Sequence, residues 1–115
     1  MMIKKLGTQE IVSHRVQEAK SFSKRLIGLM FIAEMPQGYD SILLDPCNSI
    51  HTFFMKFPLD IVFLGRNNEV IKIFRNLPPN RMTWMYLKAS KTLEMKAGTL
   101  PVWVQEGMKL EVVYA

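Results

Sequence analysis

Apolar residues recur with a period of two along most of the chain and with a helical period in one stretch. Glu10 to Val16 sets Ile11, Val12 and Val16 beside Ser13, His14 and Arg15, which reads as a strand with one polar face. From Lys20 to Leu29 the period lengthens. Phe22, Leu26 and Leu29 share a helical face, Ser21 can accept an early backbone N–H, and Gly28 lies where the chain can reverse. Ser41 to Leu44 is a short apolar strand closed by Asp45-Pro46, because proline disfavours helix in the residue before it.

The most β-like block is Ile50 to Arg75. Asp60 to Leu64 and Glu69 to Arg75 are β-branched and aromatic runs across Gly65-Arg66-Asn67-Asn68, the signature of a hairpin. In its second arm Val70, Lys72 and Phe74 are expected on one face, and Ile71, Ile73 and Arg75 on the other. Met82 to Tyr86, Lys91 to Met95 and Lys109 to Tyr114 are further strand candidates. Thr99 with Pro101 predicts a short helix to Gln105. The pattern predicts one α+β domain over residues 1–115: a mostly antiparallel sheet, curled into a partly closed small barrel, with two short helices.

Three motifs follow one another in a distinctive order: Gly28-Leu29-Met30-Phe31, then Phe53-Phe54-Met55 shortly before Pro58-Leu59-Asp60-Ile61, then Leu93-Glu94-Met95-Lys96-Ala97-Gly98. In this the chain resembles the domain-of-unknown-function 192 family, small bacterial and archaeal proteins. It departs in having Met108 after Gly107, where the family usually has Asp, and in a short spacer before Pro58. The resemblance implies a compact β-rich domain and supplies no reaction.

Composition works mainly by exclusion. With 49% hydrophobic and 22% charged residues, six Gly and six Pro, the chain can bury a core and is neither disordered nor low in complexity. Its longest apolar run, Leu29 to Ala33, is far short of the roughly 20 residues that cross a bilayer. Met1 to Gly7 turns polar too soon for a secretory signal. One cysteine, Cys47, cannot close an internal disulfide and fits the reducing cytoplasm. The net charge of +5 is scattered, and no basic run exceeds two residues. That argues against a nucleic-acid partner, which needs a concentrated stripe, and leaves a small molecule or a protein.

Candidate chemistry is sparse. Cys47, His51 and Met55 stand four residues apart, and thiolate, imidazole and thioether suit Cu(I), or Zn(II) without the methionine. Such spacing spans about 6 Å on a helix but about 13 Å on a strand. Pro46, Thr52, Phe53, Phe54 and Pro58 oppose a regular helix, so shared ligation requires a fold-back at Asn48-Ser49. The same cysteine and histidine could form a nucleophile and base, with Asp45 or Asp60 orienting the ring. The plain alternative is a buried cysteine and a hydrogen-bonded or exposed histidine. Asp60 and Glu94 form an acid/base pair or a cation site if they converge; otherwise Asp60 satisfies loop amides and Glu94 faces solvent.

No phosphate loop, HExxH or CxxC is present, so no cofactor and no catalytic constellation are expected. The expected function is a small non-enzymatic binding or accessory domain with a cleft near Phe53, Phe54, Met55, Asp60 and Glu94. The alternative is a small metal-binding protein, or a hydrolase-like enzyme, that uses Cys47, His51 and Asp60.

Overall fold

A computed structural model of the chain describes residues 1–21 and 34–114. These residues form eight strands: β1 (Met2–Lys5), β2 (Ile11–Ser13), β3 (Val16–Ala19), β4 (Ser41–Leu44), β5 (Leu59–Leu64), β6 (Val70–Leu77), β7 (Lys91–Lys96) and β8 (Leu110–Val113). They build two sheets, one ordered β2-β1-β8 and the other β3-β4-β7-β5-β6. β3 and β4 run parallel, and the other paired strands are antiparallel.

The alternating apolar pattern explains why two cores result. One face of the larger sheet sends Leu43, Val62, Leu64, Val70, Leu93 and Met95 towards Ile3, Val12 and Leu110 of the smaller sheet. Its other face sends Ala19, Ile42, Leu44, Leu59, Ile61 and Phe63 into a second core, closed in part by Ile50, Met55 and Phe57 from the connection after β4. β5 is buried along its whole length, its apolar residues covered on both faces and the single acid Asp60 enclosed with them. Each such Leu, Ile or Phe contributes about 2 kcal/mol of transfer free energy.

The expected α+β class and barrel do not describe this architecture. Among the described residues there is no helix, and the strands form two open sheets. The helix expected over Lys20–Leu29 lies outside the described residues, apart from Lys20 and Ser21. The one expected over Thr99–Gln105 is a series of turns. There the Arg75 guanidinium donates to the carbonyls of Leu100 (3.0 Å), Pro101 (2.9 Å) and Val104 (3.2 Å), fixing a bend that a helix would not present. No helix among the described residues is long and apolar enough to cross a membrane.

The strand expected over Glu10–Val16 is divided between the sheets, which is one reason that no barrel closes. Asp40 accepts from the backbone N–H groups of His14 (3.0 Å) and Arg15 (3.1 Å) and breaks the run there. The hairpin forms as expected, but with an extra residue. Leu64 stands across from Val70 and Phe63 across from Lys72, so Ile71 is bulged. The expected face of Val70, Lys72 and Phe74 is thereby split. Val70 joins Ile73 at the core between the sheets, whereas Ile71 and Phe74 pack on the second core.

Candidate functional site

The segment after β4 and the segment before β7 lie side by side as an irregular antiparallel ladder. Cys47 N–H donates to Ser90 O (2.9 Å), Tyr86 N–H to Asn48 O (2.9 Å), Thr83 N–H to Ile50 O (2.9 Å) and Thr52 N–H to Arg81 O (2.7 Å). Two threonines lock the pairing. The buried Thr52 hydroxyl donates to Pro78 O (2.7 Å) and accepts from Arg81 N–H (2.8 Å), and the Thr83 hydroxyl accepts from Ile50 N–H (3.0 Å). Only Met82 of the expected strand Met82–Tyr86 makes a β-bridge, to His51.

Inward-pointing residues anchor these loops. Ile50 and Met55 belong to the second core, and Tyr86 packs on Phe63 with ring centroids 4.9 Å apart and on Phe74 at 6.2 Å. The residues between them project outward: Phe54 is 60% exposed, Met82 71%, Trp84 86%, Met85 62% and Leu87 84%. Phe53 is also at the surface and stacks on the His51 ring at 5.4 Å. A loop that had only to stay soluble would carry polar side chains here, so this cluster calls for an explanation.

Phe54 adds a second oddity. Met55 N–H donates to Thr52 O (3.2 Å), closing a turn in which Phe54 has φ of 65°. That region is normally left to Gly or Asn, and a bulky residue there is strained.

The other sequence candidates are dispersed. Asp60 is buried and accepts three backbone N–H bonds, from Asn76 to Oδ1 (2.9 Å) and from Gly98 (2.9 Å) and Leu100 (3.1 Å) to Oδ2. Its carboxylate ties the end of β6, where Asn76 has φ of 57°, to the turn after β7.

Glu94 is equally buried but differently placed. It stands between Ile42 and Ile61 on the second-core face, and its Oε2 finds no hydrogen-bond partner among the described residues. Burial pushes this carboxyl up from 4.5 to about 8. Met55 is in the second core and Phe53 and Phe54 are outside, so the five residues expected to bound one cleft do not share one.

The Cys47 thiol donates to Ser49 O (3.1 Å), and Cys47 O accepts from the Thr92 hydroxyl (3.1 Å). His51 Nδ1 accepts from Phe53 N–H (3.2 Å). These two side chains are held at different rungs of the ladder. No three His, Cys, Asp or Glu side chains among the described residues converge where an ion could be held.

Sequence reasoning marks Phe53, Phe54 and Trp84 as candidates to line an aromatic cleft, places Met82 to Tyr86 in a strand and gives Leu87 no role, so it does not anticipate Met82, Trp84, Met85 and Leu87 as one outward surface. The available signal was the absence of two-residue alternation in Thr83-Trp84-Met85-Tyr86-Leu87. A separate open cleft of about 530 Å³ lies beside His14, Arg15, Gln37 and Tyr39. Among the described residues its walls bring together no acid, base or nucleophile constellation.

Comparison with known proteins supplies a family and a fold. The DUF192 family model, described as "Uncharacterized ACR", matches residues 2–112. A solved structure of a protein of unknown function from Novosphingobium aromaticivorans has a TM-score of 0.78 at 21% identity, covering 97% of this chain and 84% of its own. A candidate transcription regulator from Sinorhizobium meliloti has a TM-score of 0.70 at 26% identity, covering 84% of this chain and 79% of its own. No curated protein matches the chain.

Proposed function

The chain belongs to the DUF192 family, and from that premise we propose that it is a small non-enzymatic binding domain whose docking face is the outer side of the two paired loops. One observation carries the reading. Phe54, Met82, Trp84, Met85 and Leu87 project into solvent from backbone that is hydrogen-bonded and anchored from beneath. Exposed apolar clusters of this kind mark interaction surfaces, and a fixed base means that little ordering entropy is lost on contact. The strained φ of Phe54 supports the same reading, since strain at an exposed aromatic residue points to selection for something other than stability. The reading locates the domain in the cytoplasm, in keeping with its single cysteine.

Hydroxyl-radical footprinting tests it, because Met and Trp side chains oxidise readily when exposed. Met82, Trp84 and Met85 should be strongly labelled in the purified protein and protected inside the cell, with exposed Tyr114 as the internal reference. Equal labelling of the three in both settings would refute a docking role.

A further inference from the structure

The charge and shape around this face narrow the partner. The exposed cations Lys56, Arg81 and Lys88 lie on the same two loops. No Asp or Glu occurs in residues 46–59 or 77–93, although the whole chain carries ten. The face is therefore apolar at its prominence and basic beside it, which is complementary to an anionic surface.

The apolar side chains also stand out as projections. Trp84 and Leu87 leave more than four fifths of their surface in water. A protein partner would have to offer a deep apolar socket to each, whereas a lipid interface accepts projections of any outline. Trp, Leu, Phe and Met with neighbouring Lys or Arg is the composition that suits the boundary between headgroups and acyl chains.

The backbone beneath the projections is fixed: the amides of Ile50, Thr52, Phe53, Met55, Arg81, Thr83 and Tyr86 all donate within the protein.

Resting on the docking reading above, we propose that the loop face binds an anionic membrane surface. Phe54, Trp84, Met85 and Leu87 enter the interfacial region, and Lys56, Arg81 and Lys88 lie against lipid phosphates and carboxylates. Each basic residue close to such a surface strengthens binding roughly fivefold, so the three together supply about a hundredfold preference for anionic over neutral lipid.

The experiment is flotation of the full chain with vesicles of phosphatidylcholine, with or without phosphatidylglycerol. The wild type should float with the anionic vesicles and be at least tenfold weaker on neutral ones. Trp84→Ser with Leu87→Ser should abolish flotation. Arg81→Glu with Lys88→Glu should erase the lipid preference. Val102→Ser, which alters an equally exposed apolar residue elsewhere, should change nothing.

Binding that survives Trp84→Ser with Leu87→Ser would be diffuse attraction of a +5 chain and would overturn the proposal. So would equal binding to neutral vesicles. If no vesicle is bound while the face is protected from oxidation in cells, the docking reading stands, the partner is an acidic protein surface, and the membrane proposal fails. If the face is neither protected nor lipid-bound, both fail.

Discussion

Asp60 and Glu94 lie on adjacent strands of one sheet and face opposite sides of it. Asp60 stands across from Met95, and Glu94 stands across from Ile61. The first carboxylate accepts three backbone N–H bonds, while the second has an oxygen without a hydrogen-bond partner among the described residues. Two acids of similar burial thus have opposite electrostatic situations, and each gives a distinct expectation.

For Glu94 the expectation concerns pH. Its folded value of about 8 exceeds the value of 4.5 that an exposed glutamate keeps. The folded state therefore holds a proton that the unfolded state has released, and the stability linked to this group is complete below about pH 4.5. It is lost as pH rises towards 8, at about 1.4 kcal/mol per pH unit and on the order of 5 kcal/mol in all. Glu94→Gln keeps the shape without the charge. Urea unfolding of the two proteins from pH 5 to 8.5 should give a wild-type stability that falls relative to the variant, with the variant the more stable at the alkaline end. Parallel curves would contradict the assignment.

For Asp60 the expectation concerns integrity. Asp60→Asn retains one acceptor but turns an NH2 group towards backbone donors, so at least one buried N–H is left without an acceptor. The cost should be about 2–4 kcal/mol, read as a lower denaturant midpoint. Amide exchange should accelerate most at Asn76, Gly98 and Leu100, the three donors.

At Phe54 stability and docking should separate. Asn tolerates the left-handed region better than Phe, so Phe54→Asn should raise the unfolding free energy by about 0.5–1 kcal/mol. The same change should weaken docking by removing an exposed aromatic side chain. A variant that is less stable would show that the ring supports the fold.

Much of the sheet was legible in the sequence. The hairpin of β5 and β6, the short β4 and the strands β7 and β8 follow from apolar runs bounded by Gly, Asn and Pro. What escaped is where long-range hydrogen bonds override local pattern. Asp40 splits the first predicted strand, Ile71 adds a residue to β6, and Arg75 claims the carbonyls of the segment predicted as helical. The outward turn of Trp84 and Leu87 was hidden for the same kind of reason. Hydrophobic residues read as core until a partner loop, here Asn48 to Thr52, fixes which side faces in. Asp60 stood out from its place at the start of an apolar strand, whereas the burial of Glu94 depends on neighbours in two other strands.

The paired loops divide the labour: inward residues hold the structure, and outward apolar residues take no part in holding it. Chemical denaturation of two variants tests this directly. Trp84→Ser combined with Leu87→Ser should leave the unfolding free energy within about 0.5 kcal/mol of wild type, while Thr52→Val, which removes two buried hydrogen bonds, should lower it by about 1–3 kcal/mol. A loss of more than about 1 kcal/mol in the outward pair would mean that those side chains belong to the fold, and the docking face would lose its foundation.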